Sequence, residues 1–259
     1  MSTYAPQDFG QVQRLSRDLA QAAATLGRDE ARYLVDLYYE VQRYRISAKL
    51  QERTLGESAE PHAVLAFFGN EMWTIERQIH RALDNWSDED ELGLWAKSQV
   101  GIGPVIASGL LAHIDIAKAP TVGHIWSFAG LNPTVEWNKG EKRPWNADLK
   151  VLTWKAGESF VKNSTREGCY YGHIYAERKQ RELQRNDAGE FAGQAAQALE
   201  RKRYRSDTKA KAHYEAGKLP PAHIHARARR YAVKLFLFYQ FVPVFDRVDA
   251  RRDLFPPHV

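Results

Sequence analysis

The tetrapeptide Gly101-Ile102-Gly103-Pro104 is the stretch of this sequence with the most direct chemical meaning. Two glycines spaced by one apolar residue let the backbone turn through conformations that a Cβ forbids. A proline at the first helical position has its φ already set and no N–H to lose there. A turn of this kind between two helices is a helix-hairpin-helix. It leaves the amides of Gly101, Gly103 and the first turn after Pro104 to an anion, favoured by the helix dipole and typically a backbone phosphate. Ile102 is expected to be the plug that buries the hairpin. The same four residues serve equally well as an ordinary tight connection between helices.

A second set lies between residues 134 and 157, where Trp137, Trp145 and Trp154 alternate with Lys139, Lys142, Arg143, Lys150 and Lys155. Aromatic faces among cations suit stacking on bases and contact with phosphates. Tryptophans are also common core anchors with cations along their edges, and for these three the core is the favoured expectation. A third set, Arg227, Arg230 and Lys234, shares one face of a terminal helix. That face suits a phosphate backbone, or equally the wet side of a core helix.

Other chemistry finds little support. Cys169 is the single cysteine, which excludes an internal disulfide and a cysteine zinc site. His223 and His225 are two apart and do not share a helix face, so no metal pair is expected. Ser159 lies in a helical pattern with no activating base beside it. No metal or cofactor is expected.

The elements that must carry these residues are helical throughout. Val12, Leu15, Leu19, Ala22 and Leu26 alternate steps of three and four, a helical seam closed by Gly27 as a C-terminal cap. A second seam, Leu34, Leu37, Val41, Tyr44 and Ala48, runs to about Arg53, and the break is at Gly56 to Pro61. The third, Leu65, Phe68, Met72, Ile75, Ile79, Ala82 and Trp86, keeps the heptad without a slip. An antiparallel bundle or coiled coil is expected over residues 11–88, after a tether at 1–10. Acidic residues 88–91 suit a helix start. The hairpin domain is expected over 89–246, before a tail at 247–259. Within it, a short helix from Thr121 stops at Gly130, and Asn146 caps a helix through Leu149, Leu152 and Phe160. Another helix begins at Tyr170, and shorter ones lie around 191–204 and 209–215. The last element follows Pro220-Pro221 with the seam Ile224, Ala228, Tyr231, Leu235, Phe238 and Val242.

Charge is unevenly spread over the 259 residues. The net value is +5, with 37 Lys and Arg against 32 Asp and Glu, but residues 142–234 hold 21 against 10, or +11, leaving −6 for the rest. That asymmetry points to a polyanion-binding region joined to a separate scaffold, although solvated helix faces also produce it. No apolar run approaches the roughly 18 to 20 residues of a membrane span, and the N-terminus lacks the basic and apolar regions of a secretory signal. A cytoplasmic protein is expected.

Three pieces in order carry a resemblance: the Gly-Ile-Gly-Pro turn, then Trp126-Ser127-Phe128-Ala129-Gly130-Leu131-Asn132-Pro133, then His225-Ala226-Arg227-Ala228-Arg229-Arg230-Tyr231-Ala232-Val233-Lys234. Together they resemble the C-terminal domain of the one-ten/one-sixteen family of bacterial insertion-sequence transposases, over roughly residues 91–240. The resemblance implies a role in DNA transposition or recombination, with RNA as a second polyanion. Members of that family place a RuvC-like nuclease domain and a coiled coil before this domain, which supplies a catalytic serine from the loop after Gly-Leu-x-Pro. Here the first 90 residues offer no alternating strands bearing carboxylates, so no RuvC-like domain is expected in the chain. Residues 134–145 contain no serine, and Thr134 is their only hydroxyl. No nucleophile is assigned.

The leading expectation is a DNA-binding protein of an all-α class, not itself an enzyme. It would contact the backbone largely without sequence preference, through Gly101, Ile102, Gly103, Lys139, Lys142, Arg143, Lys150, Arg227, Arg230 and Lys234, while residues 11–88 suit a homodimer and an intramolecular three-helix bundle without a partner equally well. Two alternatives stand beside it: a recombinase subunit that acts with a RuvC-like partner in trans, and a helical oligomerisation protein in which the hairpin is only a turn.

Overall fold

The computed structural model describes residues 15–55, 63–201, 204 and 208–248; for 52, 55, 63 and 242–248 only the backbone is described. The expected tether at 1–10, Val12, the break at Gly56 to Pro61, the side chain of Val242 and tail residues 249–259 lie outside this. Among the described residues there are eleven α-helices and no strand, so the protein is all-α. No described helix is long and apolar enough to cross a membrane.

Helix contacts divide the chain into two compact units, Met1–Lys97 with Gly103–Ile114, and Ser98–Ile102 with Asp115–Val259. The division therefore falls inside the hairpin, not at residue 88. α5 (Pro104–His113), expected with the C-terminal half, packs with the N-terminal helices instead.

Unit 1 is built on two long helices, α2 (Arg28–Leu55) and α3 (Ala63–Asp88), preceded by a short α1 (Arg17–Ala22) and followed by α4 (Glu91–Ser98) and α5 (Pro104–His113). α2 and α3 pair with each other, and α5 packs on both. Seven of the ten residues of α5 are buried, among them Val105, Leu110 and Leu111. A helix apolar all round belongs inside a core, and two polar contacts tie this one to its neighbours: Ser108 Oγ donates to the Leu83 carbonyl at 2.9 Å, and Arg32 Nε to the Ala112 carbonyl at 2.9 Å. Asp90 Oδ1 accepts the Leu92 amide at 2.8 Å at the start of α4, so the acidic stretch does begin a helix.

The expected seams hold only in part. Ile79 and Ala82 are buried, but Leu65 and Phe68 at the other end of α3 are exposed. In the first helix Ala20 and Ala23 are buried while Leu19 is exposed, so the Leu15, Leu19, Ala22, Leu26 face is not the packed one. Gly27 does not end an isolated helix; a 3-10 turn at Ala23–Thr25 leads through it directly into α2, where its carbonyl accepts the Ala31 amide at 3.0 Å.

Unit 2 contains α6 (Val122–Phe128), α7 (Ala147–Lys162), α8 (Tyr170–Asp187), α9 (Ala192–Arg201), α10 (Lys209–Glu215) and α11 (Pro221–Val248). α11 is the axis against which α6, α7 and α8 all pack. That many neighbours widen its buried face: Ile224 and Ala228 are buried as expected, but beyond them Ala232, Phe236 and Leu237 are buried in place of Tyr231, Leu235 and Phe238. Phe160, Tyr171 and Phe236 pack their rings 5.1 to 5.4 Å apart in the core. Gly157 sets the closest approach of α7 to α11, since a Cβ there would lie 2.6 Å from Arg229 Cγ and 2.9 Å from Val233 Cγ2.

Candidate nucleic-acid interface

The groove that collects the basic and aromatic residues starts from the end of α6. Gly130 has a left-handed φ of +64°; its amide reaches the Ser127 carbonyl at 3.0 Å and the Leu131 amide reaches that of Trp126 at 2.8 Å. This is a Schellman stop, which needs glycine at that position. The missing side chain has a second use, because a Cβ on Gly130 would meet Lys150 Cδ at 2.8 Å and Trp145 Cγ at 3.0 Å. The Asn146 amide bonds the Phe128 carbonyl at 2.8 Å, tying the far end of the loop to α6, and the Asn146 side chain caps α7 through the Leu149 amide at 2.8 Å.

Between these ties the loop folds on itself. Gly140, at φ +93°, permits a turn in which the Glu141 amide bonds the Asn138 carbonyl at 3.2 Å and Trp137 Nε1 bonds the Glu141 carbonyl at 2.8 Å. Lys139 and Lys142 are exposed on this turn. Trp137, Arg143, Trp145, Lys150, Val151 and Trp154 line a groove of about 410 Å³. The core expectation for the tryptophans is corrected: Trp137 is 45% and Trp154 51% exposed, and Trp145 is half-buried. Arg143 lies 4.8 Å over the Trp137 ring, Lys150 3.9 Å over Trp145 and Arg229 5.5 Å over Trp154.

A row of cations runs from the groove along α11. Partial burial lowers the pKa of the Lys150 amine, and Arg230 and Arg143 lower it further. Burial and then Arg230 lower that of Lys234, while burial and then Arg227 and Arg229 act the same way on Arg230. Each charge thus feels the next. Among the described residues no carboxylate pairs with Arg143, Lys150, Arg230 or Lys234. Lys234 instead sits 4.8 Å over the Trp126 ring, whose Nε1 donates to the Lys234 carbonyl at 3.1 Å.

The other expected site residues fall elsewhere. Arg227 turns inward, its Nε 2.7 Å from the fully buried Glu182 and its guanidinium 4.5 Å over Phe191. Arg178, at 2.6 Å, and Arg185, at 3.4 Å, share that carboxylate. Burial pushes the Glu182 carboxyl up, but the Arg227 and Arg178 contacts outweigh it and hold it below the usual range.

In the hairpin, Ile102 is 5% exposed. Gly101 has φ +97°, but Gly103 is ordinary extended backbone at φ −99° and ψ 176°, with open space where a Cβ would go, so only the first glycine is required by the turn. Gly101 and Ile102 belong to unit 2 and Gly103 to unit 1. Ser159 Oγ donates to the Gly101 carbonyl at 2.5 Å, and a Cβ on Gly101 would stand 2.8 Å from it. Cys169 Sγ lies 3.6 Å from the Val100 carbonyl. Ser159 is thus a docking residue, a role invisible in its local sequence. It is also on the order of 12 Å from Val151 along α7, at 1.5 Å per residue, so turn and groove are separate features of one helix.

Comparison of the chain with protein-family models, with curated proteins and with solved structures gave no match. The class that fold and groove define is an all-α protein with a basic, tryptophan-lined surface on its C-terminal unit.

Proposed function

We propose that this is a nucleic-acid-binding protein, acting in the cytoplasm on DNA in transposition or recombination. Its C-terminal unit holds the sugar-phosphate backbone on Arg143, Lys150, Arg230 and Lys234. The observation that carries the reading is the set itself: Arg143 and Lys150 over indoles, Arg230 and Lys234 one turn apart on α11, and among the described residues no carboxylate pairing with any of the four. Leaving like charges together costs stability unless a polyanion joins them. Lys139 and Lys142 extend the row along the loop, and the hairpin amides are a second, separate contact.

Binding is favoured over strand transfer by the hydroxyls. Thr134 Oγ1 donates to Asn132 Oδ1 at 2.8 Å and Ser159 to a carbonyl, and neither contact supplies a base. The second partner proposed is another copy of this chain, held through residues 11–88. The exposed apolar residues Leu50, Leu65, Phe67 and Phe68 on α2 and α3 support it.

The test is salt-titrated binding to duplex DNA of arbitrary sequence by fluorescence anisotropy. Four phosphate contacts give a slope of log K against log salt of about −3.6, and micromolar or tighter Kd at low salt. No binding at low salt, or binding that salt leaves unchanged, defeats the proposal.

A further inference from the structure

We propose that the tryptophan-lined groove is a stacking site for an unpaired nucleobase. On the reading above, on which this rests, the protein then holds single-stranded or looped-out nucleic acid in preference to a continuous duplex.

A row of cations does not by itself give that preference. Duplex DNA carries one charge per ~1.7 Å of axis against ~3.4 Å for a single strand, and each contact yields more on duplex, about 0.9 against 0.7 in the salt slope. Electrostatics alone therefore favour the duplex. What they leave unexplained is the apolar wall among the cations. Trp137, Val151 and Trp154 are 45%, 51% and 51% exposed. Ala147, Val151 and Trp154 are spaced by four and then three residues on α7, so they form one stripe along it.

In a duplex the faces of the bases are covered by their neighbours, and such a wall would meet only charged backbone. An unpaired base offers a flat π face for an indole, with flanking phosphates for Lys150 and Arg230. The groove, at about 410 Å³, is of the size that takes small ligands, roughly 300 to 1,000 Å³. Its walls are also fixed in advance. Trp145 and Lys150 both close on Gly130, Lys150 covers the Trp145 ring, and Trp137 meets Trp145 edge to face at 6.1 Å. An uncharged amphipathic peptide would cover the wall but bring no anion to the four cations, which pair with no carboxylate among the described residues. A base with its phosphates satisfies both.

The test uses oligonucleotides of one length at one salt concentration: single-stranded DNA, single-stranded RNA, continuous duplex, and duplex with one unpaired nucleotide. Anisotropy and intrinsic tryptophan fluorescence are read on the full chain. The single-stranded and bulged forms should bind about tenfold more tightly than continuous duplex and quench the fluorescence. Trp154→Ala should bring the affinity for single-stranded and bulged forms down to that for continuous duplex and abolish the quenching, and Trp154→Phe should keep most of the preference, with circular dichroism reporting that both fold. The DNA and RNA arms show which sugar is accepted, and a preference over duplex with either supports the site. Equal or tighter binding of continuous duplex, without quenching and with Trp154→Ala silent, overturns the stacking site while leaving backbone binding in place. Binding of none of the four overturns both. Capture of a neutral amphipathic peptide that Trp154→Ala abolishes, with no base-dependent quenching, assigns the wall to a protein partner and overturns the inference.

Discussion

Two regions expose large aromatic and aliphatic side chains, and they differ in what accompanies them. Along α2 and α3 of unit 1, Leu50, Leu65, Phe67, Phe68 and Trp73 are exposed. The cation over Trp73 is Arg45, at 4.8 Å, and it is committed: its Nε lies 2.5 Å from Glu76, a carboxylate that also takes Gln42 at 3.1 Å. The cleft of about 840 Å³ beside it is lined by both signs, Glu76 and Asp84 with Arg77 and Arg81. In the groove of unit 2 the cations over the indoles include Arg143 and Lys150, which pair with no carboxylate among the described residues. Apolar surface with balanced charge suits another apolar surface, and apolar surface within a positive field suits a polyanion that carries rings. Exposure alone does not separate these cases; the state of the neighbouring charges does.

The largest expected effect comes from unbalancing a charge that is now balanced. Glu182 is fully buried and holds Arg178, Arg185 and Arg227, joining α8 to α11. Glu182→Ala takes away the carboxylate that Arg178 and Arg227 share, while Arg185 keeps Glu190 at 2.7 Å, and should cost about 3 to 5 kcal/mol, read by denaturant unfolding. Glu76→Ala should cost less, because one arginine and neutral groups surround it. Burial also raises Glu76, and Arg45 and Gln42 reverse the shift. Both carboxyls are thus held low in the folded state. Their stabilisation is full above the ordinary value of about 4.3 and is lost as pH falls through the lower folded values, and each alanine variant should flatten that acid limb. A loss at Glu182 below about 1 kcal/mol would mean that its arginines find water without it.

Next in size is the apolar end of unit 1. If a second copy covers it, Leu65→Ser with Phe68→Ser should weaken self-association by about 30-fold or more, as for central interface anchors, without loss of helix content. Sedimentation equilibrium reads this directly. A wild-type chain that stays monomeric at every concentration removes the proposed dimer. The same double variant should leave binding of short oligonucleotides by unit 2 unchanged.

What the sequence made legible is what depends on near neighbours. The Gly130 stop, the Asn146 cap and the start of α11 at Pro221 are each decided within a few residues, and each is where the local chemistry puts it. The three tryptophans and their cations were recognisable as a group, yet the favoured core placement was wrong. A core needs a partner across it, and the loop around Trp137 instead bonds to itself at Glu141. Heptad spacing identified a face of α3, but not that its Ile79 and Ala82 end is buried while Leu65 and Phe68 stay exposed. Arg227 resembles Arg230 in the sequence; Glu182, 45 positions earlier, makes it structural. Gly101 and Gly103 look equivalent until the backbone shows one left-handed and the other extended.

The smallest expected effect tests the comparison most directly, through salt. Where charges are paired, as Arg45 is with Glu76 and Lys97 with Asp84 and Asp88, screening weakens an attraction. In the groove row it weakens a repulsion. Raising salt from about 0.01 M to 0.1 M shortens the screening length from roughly 30 Å to 10 Å, so unit 2 should gain thermal stability. The gain should shrink in Lys234→Gln, which removes one end of the row and should also lower nucleic-acid affinity. The pH dependence has a definite sign. The Lys234 amine is held below its ordinary value by burial and Arg230, so the cost of its charge is fully present below the folded pKa and gone above the unfolded value of about 10.4. The difference between wild type and Lys234→Gln in salt response should therefore fade as pH rises through that window. A difference that persists above it would locate the effect in packing against Trp126 rather than in charge.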